Sequence, residues 1–388
     1  MNHRMPQNLA LTRLWRIARY ERTAPCHGAG KPAPQPRQVN VDPLSLPSRR
    51  PVSILRILAT IPVWLFTLAN SLGQPLPPQP PETIRVMVYN VYNFMPLSAP
   101  QIKTPESRDT VAEIIHRGKA DIVVLAEMGG DKAVEELREL LRQKGTDYPF
   151  ATVVHAYDRT RNLAVLAMLP PAQTKHDENS SYNLKDQRIR VRRGFAHCVF
   201  KWRNGYILHL LGAHLKSKHF DRLGQTDMRR YEARLLRYRF NDIIGEDPEA
   251  NVLIVGDMND TPDSSPISTL CGRRYKQERQ LFDLRPLDQH SMVWTHLWDT
   301  ADSYTRIDYA LVSYPLLPEI SLEATFIPSF ADWYIASDHR PIIVTLTPHE
   351  TPLQPDRLSQ FHRNFRTPTP PPSSLHEGRV IGTRKVRR

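Results

Sequence analysis

The chain has 388 residues, 40% of them apolar, which is enough to bury a sizeable core. Its three cysteines, Cys26, Cys198 and Cys271, include no CxxC pair, so a zinc site or a thioredoxin-like dithiol has no support. The formal charge of +12 sits at the ends: residues 1–50 hold 9 Lys/Arg against 2 Asp/Glu, residues 349–388 hold 8 against 3, and 51–348 is neutral, so the high pI describes the tails.

In chain order, residues 1–52 are rich in Pro, Arg and Gln and carry no sustained strand pattern; they read as a basic, disordered extension. Residues 53–81 read as a signal-like or anchor segment. Arg49, Arg50 and Arg56 precede an apolar run of 13 residues, 57–69, which small residues and the Pro-rich spacer QPLPPQPPE follow. Basic, apolar, small, polar is the order of an export signal, and the run is short for a full membrane span. Export (secreted or periplasmic) or N-terminal membrane anchoring is therefore expected, with a buried amphipathic helix as the alternative. Membrane contact is expected through this segment alone.

Residues 82–348 read as one globular unit. Apolar runs bounded by breakers mark strands at IRVMVYNV, DIVVLAE, LAVLAML, FAHCVFKW, YILHLLGAHL, NVLIVGD, RIDYALVS and PIIVTLT. Helical spacing appears between them at 107–118, with Val111, Ile114 and Ile115 on one face, at 131–144, and at 228–244, where Tyr231, Leu235, Tyr238, Ile243 and Ile244 define the expected face. Half-buried strands alternating with helices predict an α/β fold of two packed sheets flanked by helices. Residues 349–388 return to a Pro-rich, basic and disordered tail.

Polar residues recur where these apolar runs end. Asn90 closes IRVMVYN and Glu127 closes DIVVLAE, which sets an amide and a carboxylate oxygen at a sheet edge, the donors that hard cations prefer. His214, Lys216 and Ser217 follow in AHLKSK, a grouping suited to a phosphate oxygen. In GDMNDTP, Gly256 allows a tight turn, and Asp257 and Asn259 point the same way. Asp308, inside RIDYALVS, needs a buried partner; His339, in SDHRP beside Asp338, is the imidazole it is expected to orient. Taken singly, each string also fits a solvated strand end or a simple turn.

Taken together and in this order, NVYNF, VVLAEM, HLKSK, GDMNDTP, RIDYALVS and SDHRP resemble the endonuclease/exonuclease/phosphatase superfamily, and its bacterial nuclease-like branch in particular. The resemblance spans about residues 84–347. It implies a four-layer α/β sandwich of two mostly antiparallel sheets, and Mg²⁺- or Mn²⁺-dependent phosphoester hydrolysis. Carried over motif by motif, Asn90, Glu127 and Asp338 match metal positions. Asp257 matches the residue that orients or deprotonates water, Asn259 a phosphate-stabilising position, and His339 with Asp308 the phosphate-contacting histidine. His214 matches a His-or-Tyr position. Ala126 stands where many members have Gln, which removes a supporting hydrogen bond but no ligand.

The motifs identify a reaction rather than a substrate. Residues 185–239 carry 15 Lys/Arg and 4 Asp/Glu, which reads either as a phosphate-meeting surface or as solvated helix and edge-strand charge. On the first reading, Arg188, Arg190 and Arg192 share a strand face, and Arg192, Arg193, Lys216 and Ser217 bind substrate. A nuclease acting as a monomer on DNA or RNA is the leading expectation. A phosphoinositide phosphatase or sphingomyelinase-like lipid phosphoesterase is the alternative, and a non-catalytic binding module on the same fold the third.

Overall fold

A computed structural model describes residues 76–272 and 279–352. The expected N-terminal extension, the apolar run at 57–69 and the tail from 353 lie outside the described residues. No helix among the described residues is long and apolar enough to cross a membrane.

The chain runs β1 (Ile84–Phe94), α1 (Pro105–Gly118), β2 (Ile122–Met128), α2 (Asp131–Gln143), β3 (Phe150–Val153) and β4 (Asn162–Ala167). It continues with β5 (Gln173–Thr174), β6 (Ser181–Leu184), β7 (Gln187–Arg190), β8 (Phe195–Lys201), β9 (Ile207–His214), α3 (Gln225–Glu246), β10 (Asn251–Asp257) and α4 (Ser265–Cys271). Last come β11 (Phe282–Asp283), β12 (His296–Trp298), β13 (Ser303–Thr305), β14 (Asp308–Val312), α5 (Trp333–Ala336) and β15 (Ile342–Leu346).

Two large sheets result, ordered β15-β1-β2-β4-β3 and β11-β14-β10-β9-β8-β5, beside the two-stranded pairs β6-β7 and β12-β13. Each large sheet is antiparallel except for one central parallel pair, β1 with β2 and β9 with β10. Each parallel pair needs a crossover, which α1 and α3 supply. The layers follow from side-chain alternation. Val86 and Val88 enter the core between the sheets, while Met87 and Tyr89 face α1 and α2. On the other sheet, Leu253 and Val255 face inward, while Val252 and Ile254 face α3 and α4. The central strands are thus covered on both faces rather than half-buried, and the expected four-layer sandwich of helices, sheet, sheet and helices is the fold.

Local chemistry sets the elements. Thr104 caps α1 by accepting the Ser107 N–H at 3.1 Å, Pro105 opens the helix, and Lys119 ends it in the left-handed region. The face of α3 follows expectation at Ile243 and Ile244, which are buried, and at Tyr231 and Leu235, which pack against the core, but not elsewhere. Tyr238 is exposed, whereas Arg229 and Glu232 are buried beside Met228, Ala233 and Leu236. Gly256 differs as well: it lies within β10, not in a turn. At φ +141° a Cβ there would sit 1.9 Å from the Ala213 carbonyl oxygen, so only glycine lets β9 and β10 approach. Cys198 is a buried thiol that forms no disulfide with Cys271.

Candidate active site

Strand register assembles the site. In the second sheet Asp257 lies opposite His214 on one side and Asp308 on the other, so three strands present their polar residues in one line. In the first sheet β1 and β2 run parallel to the same end, then break register after Asn90 and Leu125. Tyr92, Asn93 and Glu127 take positive φ of 48°, 56° and 64° at this break. Such bulges re-aim side chains, and left-handed non-glycine residues persist only where their surroundings hold them. Here Glu127 is held by the Asn93 N–H, which donates to its Oε2 at 3.1 Å, and Asn90 by the Tyr92 N–H, which donates to its Oδ1 at 3.0 Å.

The two sheets meet at Asp257. Its Oδ2 accepts hydrogen bonds from Asn90 Nδ2 at 3.1 Å, across the sheets, and from Asn259 Nδ2 at 3.2 Å, while Oδ1 accepts the Asn259 N–H at 2.8 Å. From this hub a row of alternating carboxylates and imidazoles extends both ways. One arm runs from Asp257 to His214 Nε2 at 3.6 Å and on to Glu127 at 3.9 Å. The other runs to His339 Nε2 at 3.9 Å, then to Asp338 at 4.0 Å, and ends at His296, 3.8 Å from Asp338. Asp308 stands behind the row, where its Oδ2 accepts the His339 Nδ1–H at 2.8 Å.

Burial and charge set the protonation of this row. Asp257 is buried, and burial first, then Asp308, pushes its carboxyl up to about 7. Burial works against charge on His339, but Asp308, then Asp257 and Asp338, outweigh it and push the imidazolium up to about 10. His214 is held well below its ordinary value by burial and then by Arg193, so it is neutral. Its Nε2 faces the two carboxylates, which fits the Nε2–H tautomer.

The donor set suits a divalent cation. Glu127, Asp257, Asp308 and Asp338 bring four carboxyls to one edge, and a cation would offset the repulsion from Asp308 and Glu127 that adds to burial in raising Asp257. Glu127 lies on one arm of the row and Asp338 on the other. Among the described residues, two sets of ligand atoms already lie close enough to share an ion: His296, Asp338 and His339, and Asp257, Asp308 and His339. Carboxylate oxygens are the donors that hard divalent cations take.

Several expected contacts lie elsewhere. Lys216 is buried and donates its ammonium to the carbonyls of Ser217 and His219, and the Ser217 carbonyl also accepts from Arg229. Arg193 is buried 3.4 Å from Asp158. Asn259 also donates Nδ2 to the Leu215 carbonyl at 3.0 Å, so its amide holds the hub and its loop together. Arg188 and Arg190 are exposed on β7, but Arg192 lies past the end of that strand and does not share their face as a strand residue.

The sequence reading missed three supports and His296. Arg229 donates Nε to Asp260 at 2.9 Å, and Glu232 accepts the Lys216 N–H at 2.6 Å, which fixes the loops after β9 and β10. Tyr309 donates its hydroxyl to the Asp260 carbonyl at 2.9 Å. The charges of Arg229 and Glu232 read as a solvated helix surface, although Asp260 stands within the same GDMNDTP string. His296 sits in a short hairpin among aromatics and ends no long apolar run, so no pattern flagged it.

Comparison with known proteins places this arrangement. No curated protein sequence matches the chain. The human Nocturnin catalytic domain, solved with bound sulfate, matches 70% of this chain and 96% of its own length at 14% identity, with a TM-score of 0.52. An endonuclease/exonuclease/phosphatase from Beutenbergia cavernae matches 71% of this chain and 74% of its own length at 17% identity, with a TM-score of 0.50. At these identities the likeness establishes the fold alone. The model of the Endonuclease/Exonuclease/phosphatase family matches residues 87–339, well over half of the chain and the whole row from Asn90 to His339. The chain therefore belongs to the endonuclease/exonuclease/phosphatase family.

Proposed function

We propose that this protein is a divalent-metal-dependent phosphodiester hydrolase acting on nucleic acid. The observation that carries the reading is the Asp257 hub, where side chains from both sheets converge on one buried carboxylate oxygen. A buried carboxyl near neutral pKa, held by three donors, suits a base that positions or deprotonates a water. The imidazolium of His339, oriented by Asp308, offers its Nε2–H to a non-bridging phosphoryl oxygen, and neutral His214 offers a second N–H. Glu127, Asp338 and the Asn90 oxygen would hold the cation, with His296 beside Asp338. When bound, the cation supplies positive charge against the phosphoryl oxygens as negative charge builds on them. Arg190 and Arg192, exposed near this edge, favour a polyanionic substrate.

The test is a substrate panel on the purified protein with Mg²⁺ or Mn²⁺: plasmid DNA, RNA, bis-p-nitrophenyl phosphate, phosphoinositides and sphingomyelin. Hydrolysis of DNA or RNA that weakens as salt rises is the expected outcome. Turnover of lipid headgroups without nucleic acid would replace the substrate, and no turnover of any phosphoester would leave a binding module.

A further inference from the structure

The reactive row does not explain the ground beside Glu127. Two tyrosines stand exposed there, Tyr92 at 50% and Tyr157 at 58%. Each has a cation over its ring: Lys103 Nζ lies 5.3 Å from the Tyr92 centroid, and the Arg190 guanidinium 5.6 Å from that of Tyr157. The backbone that carries each ring is tied to the row through neighbouring groups. The Tyr92 N–H donates to Asn90 Oδ1 at 3.0 Å. Next to Tyr157, Asp158 accepts the Arg161 N–H at 3.1 Å. Arg161 in turn donates Nε to Asn93 at 2.7 Å and approaches Glu127 to 3.8 Å. The Asp158 N–H also donates to the Arg192 carbonyl at 2.6 Å, which draws the basic segment 188–193 alongside.

Exposed aromatic rings interleaved with cations, leading from a phosphodiester site, match one kind of partner. A base laid on a tyrosine ring gains stacking, and the phosphates on either side of it meet arginine. In a duplex both faces of every base are already stacked, so the rings have nothing to receive. A bilayer would favour rings without ammonium and guanidinium groups above them. We propose that this flank is a track for an unpaired nucleic-acid strand, with Tyr157 and Tyr92 as base platforms and Arg190 and Arg161 as phosphate contacts. The proposal rests on the nuclease reading above and narrows its substrate to single-stranded DNA or RNA.

The test measures binding apart from turnover. Anisotropy of a fluorescein-labelled unpaired 12-mer and of a blunt duplex is recorded in EDTA with the full chain. The unpaired strand should bind the wild type more tightly than the duplex. Tyr157→Ser should weaken its binding about tenfold, whereas Tyr157→Phe, which keeps the ring, should restore it. Arg190→Gln should weaken binding and lower the salt dependence by about one charge. Equal binding of duplex and unpaired strand, or wild-type binding by Tyr157→Ser, overturns the track, and nucleic-acid hydrolysis in that case leaves the nuclease reading standing. Failure to bind or cleave either nucleic acid overturns both. Phosphatidylserine vesicles bound by the wild type and lost in Tyr157→Ser would assign the flank to a membrane instead.

Discussion

Two groups of histidines in the second half of this fold have opposite chemistry. At the end of the sheets, His214, His339 and His296 alternate with carboxylates. On the face of the second sheet toward α3, His197 Nε2 lies 3.2 Å from His209 Nδ1, and His176 accepts the His197 N–H at 3.1 Å. There burial, then His209 and Lys175, pushes His197 down to about 4, while His339 is pushed up to about 10. Both imidazoles are desolvated, and burial favours the neutral form in each. The sign is decided by the neighbour: Asp308 at 2.8 Å from one, a second imidazole at 3.2 Å from the other. A buried histidine therefore says little until its partner is known.

The contrast can be tested most sharply at the reactive row. Glu127→Ala and His339→Ala should each lower turnover about 100-fold or more without unfolding the protein, since Glu127 would hold the cation and His339 donates to the developing anion. Near-wild-type turnover in either variant, with a normal circular dichroism spectrum, would remove that residue from the mechanism. Asp308→Asn should cost somewhat less, about 10–100-fold at pH 8. Without its carboxylate partner His339 loses its proton near or below neutrality, so the alkaline limb of the pH–rate profile should move from about 10 to lower pH. An unmoved limb would show that another group governs it.

The two groups should also differ in how stability follows pH. His339 has a folded pKa above its unfolded value. Its contribution is fully present below about 6.5 and is lost as pH rises through about 10. His197 has a folded pKa below its unfolded value, so the protein should lose stability as pH falls from about 6.5 toward 4. Allowing for its partial exposure, this amounts to roughly 1–2 kcal/mol. Urea midpoints measured at pH 7 and pH 5 should draw closer together in His197→Asn. An unchanged gap would place the acid sensitivity elsewhere.

Long apolar runs and helical spacing made eight strands and three of the five described α-helices legible, whereas the short strands β3, β5–β7 and β11–β13 carry no such run, and burial of the central strands on both faces emerged only from packing. The sequence also indicated Asn90, Glu127, Asp257, Asp308 and His339, since each interrupts or ends an apolar run. It could not give their order in space. That order comes from register: one residue of slip in β10 would turn Asp257 away from His214 and Asp308. Nor could it separate Lys216, buried on loop carbonyls, from Arg190, exposed over Tyr157, because burial belongs to the packed chain. His296 and Arg229 reach their partners only through tertiary packing, and the bulge that turns Glu127 toward the second sheet exists only where two paired strands lose register. Local pattern determined which residues are polar at the sheet ends; the long-range pairing of strands decided which of them face one another.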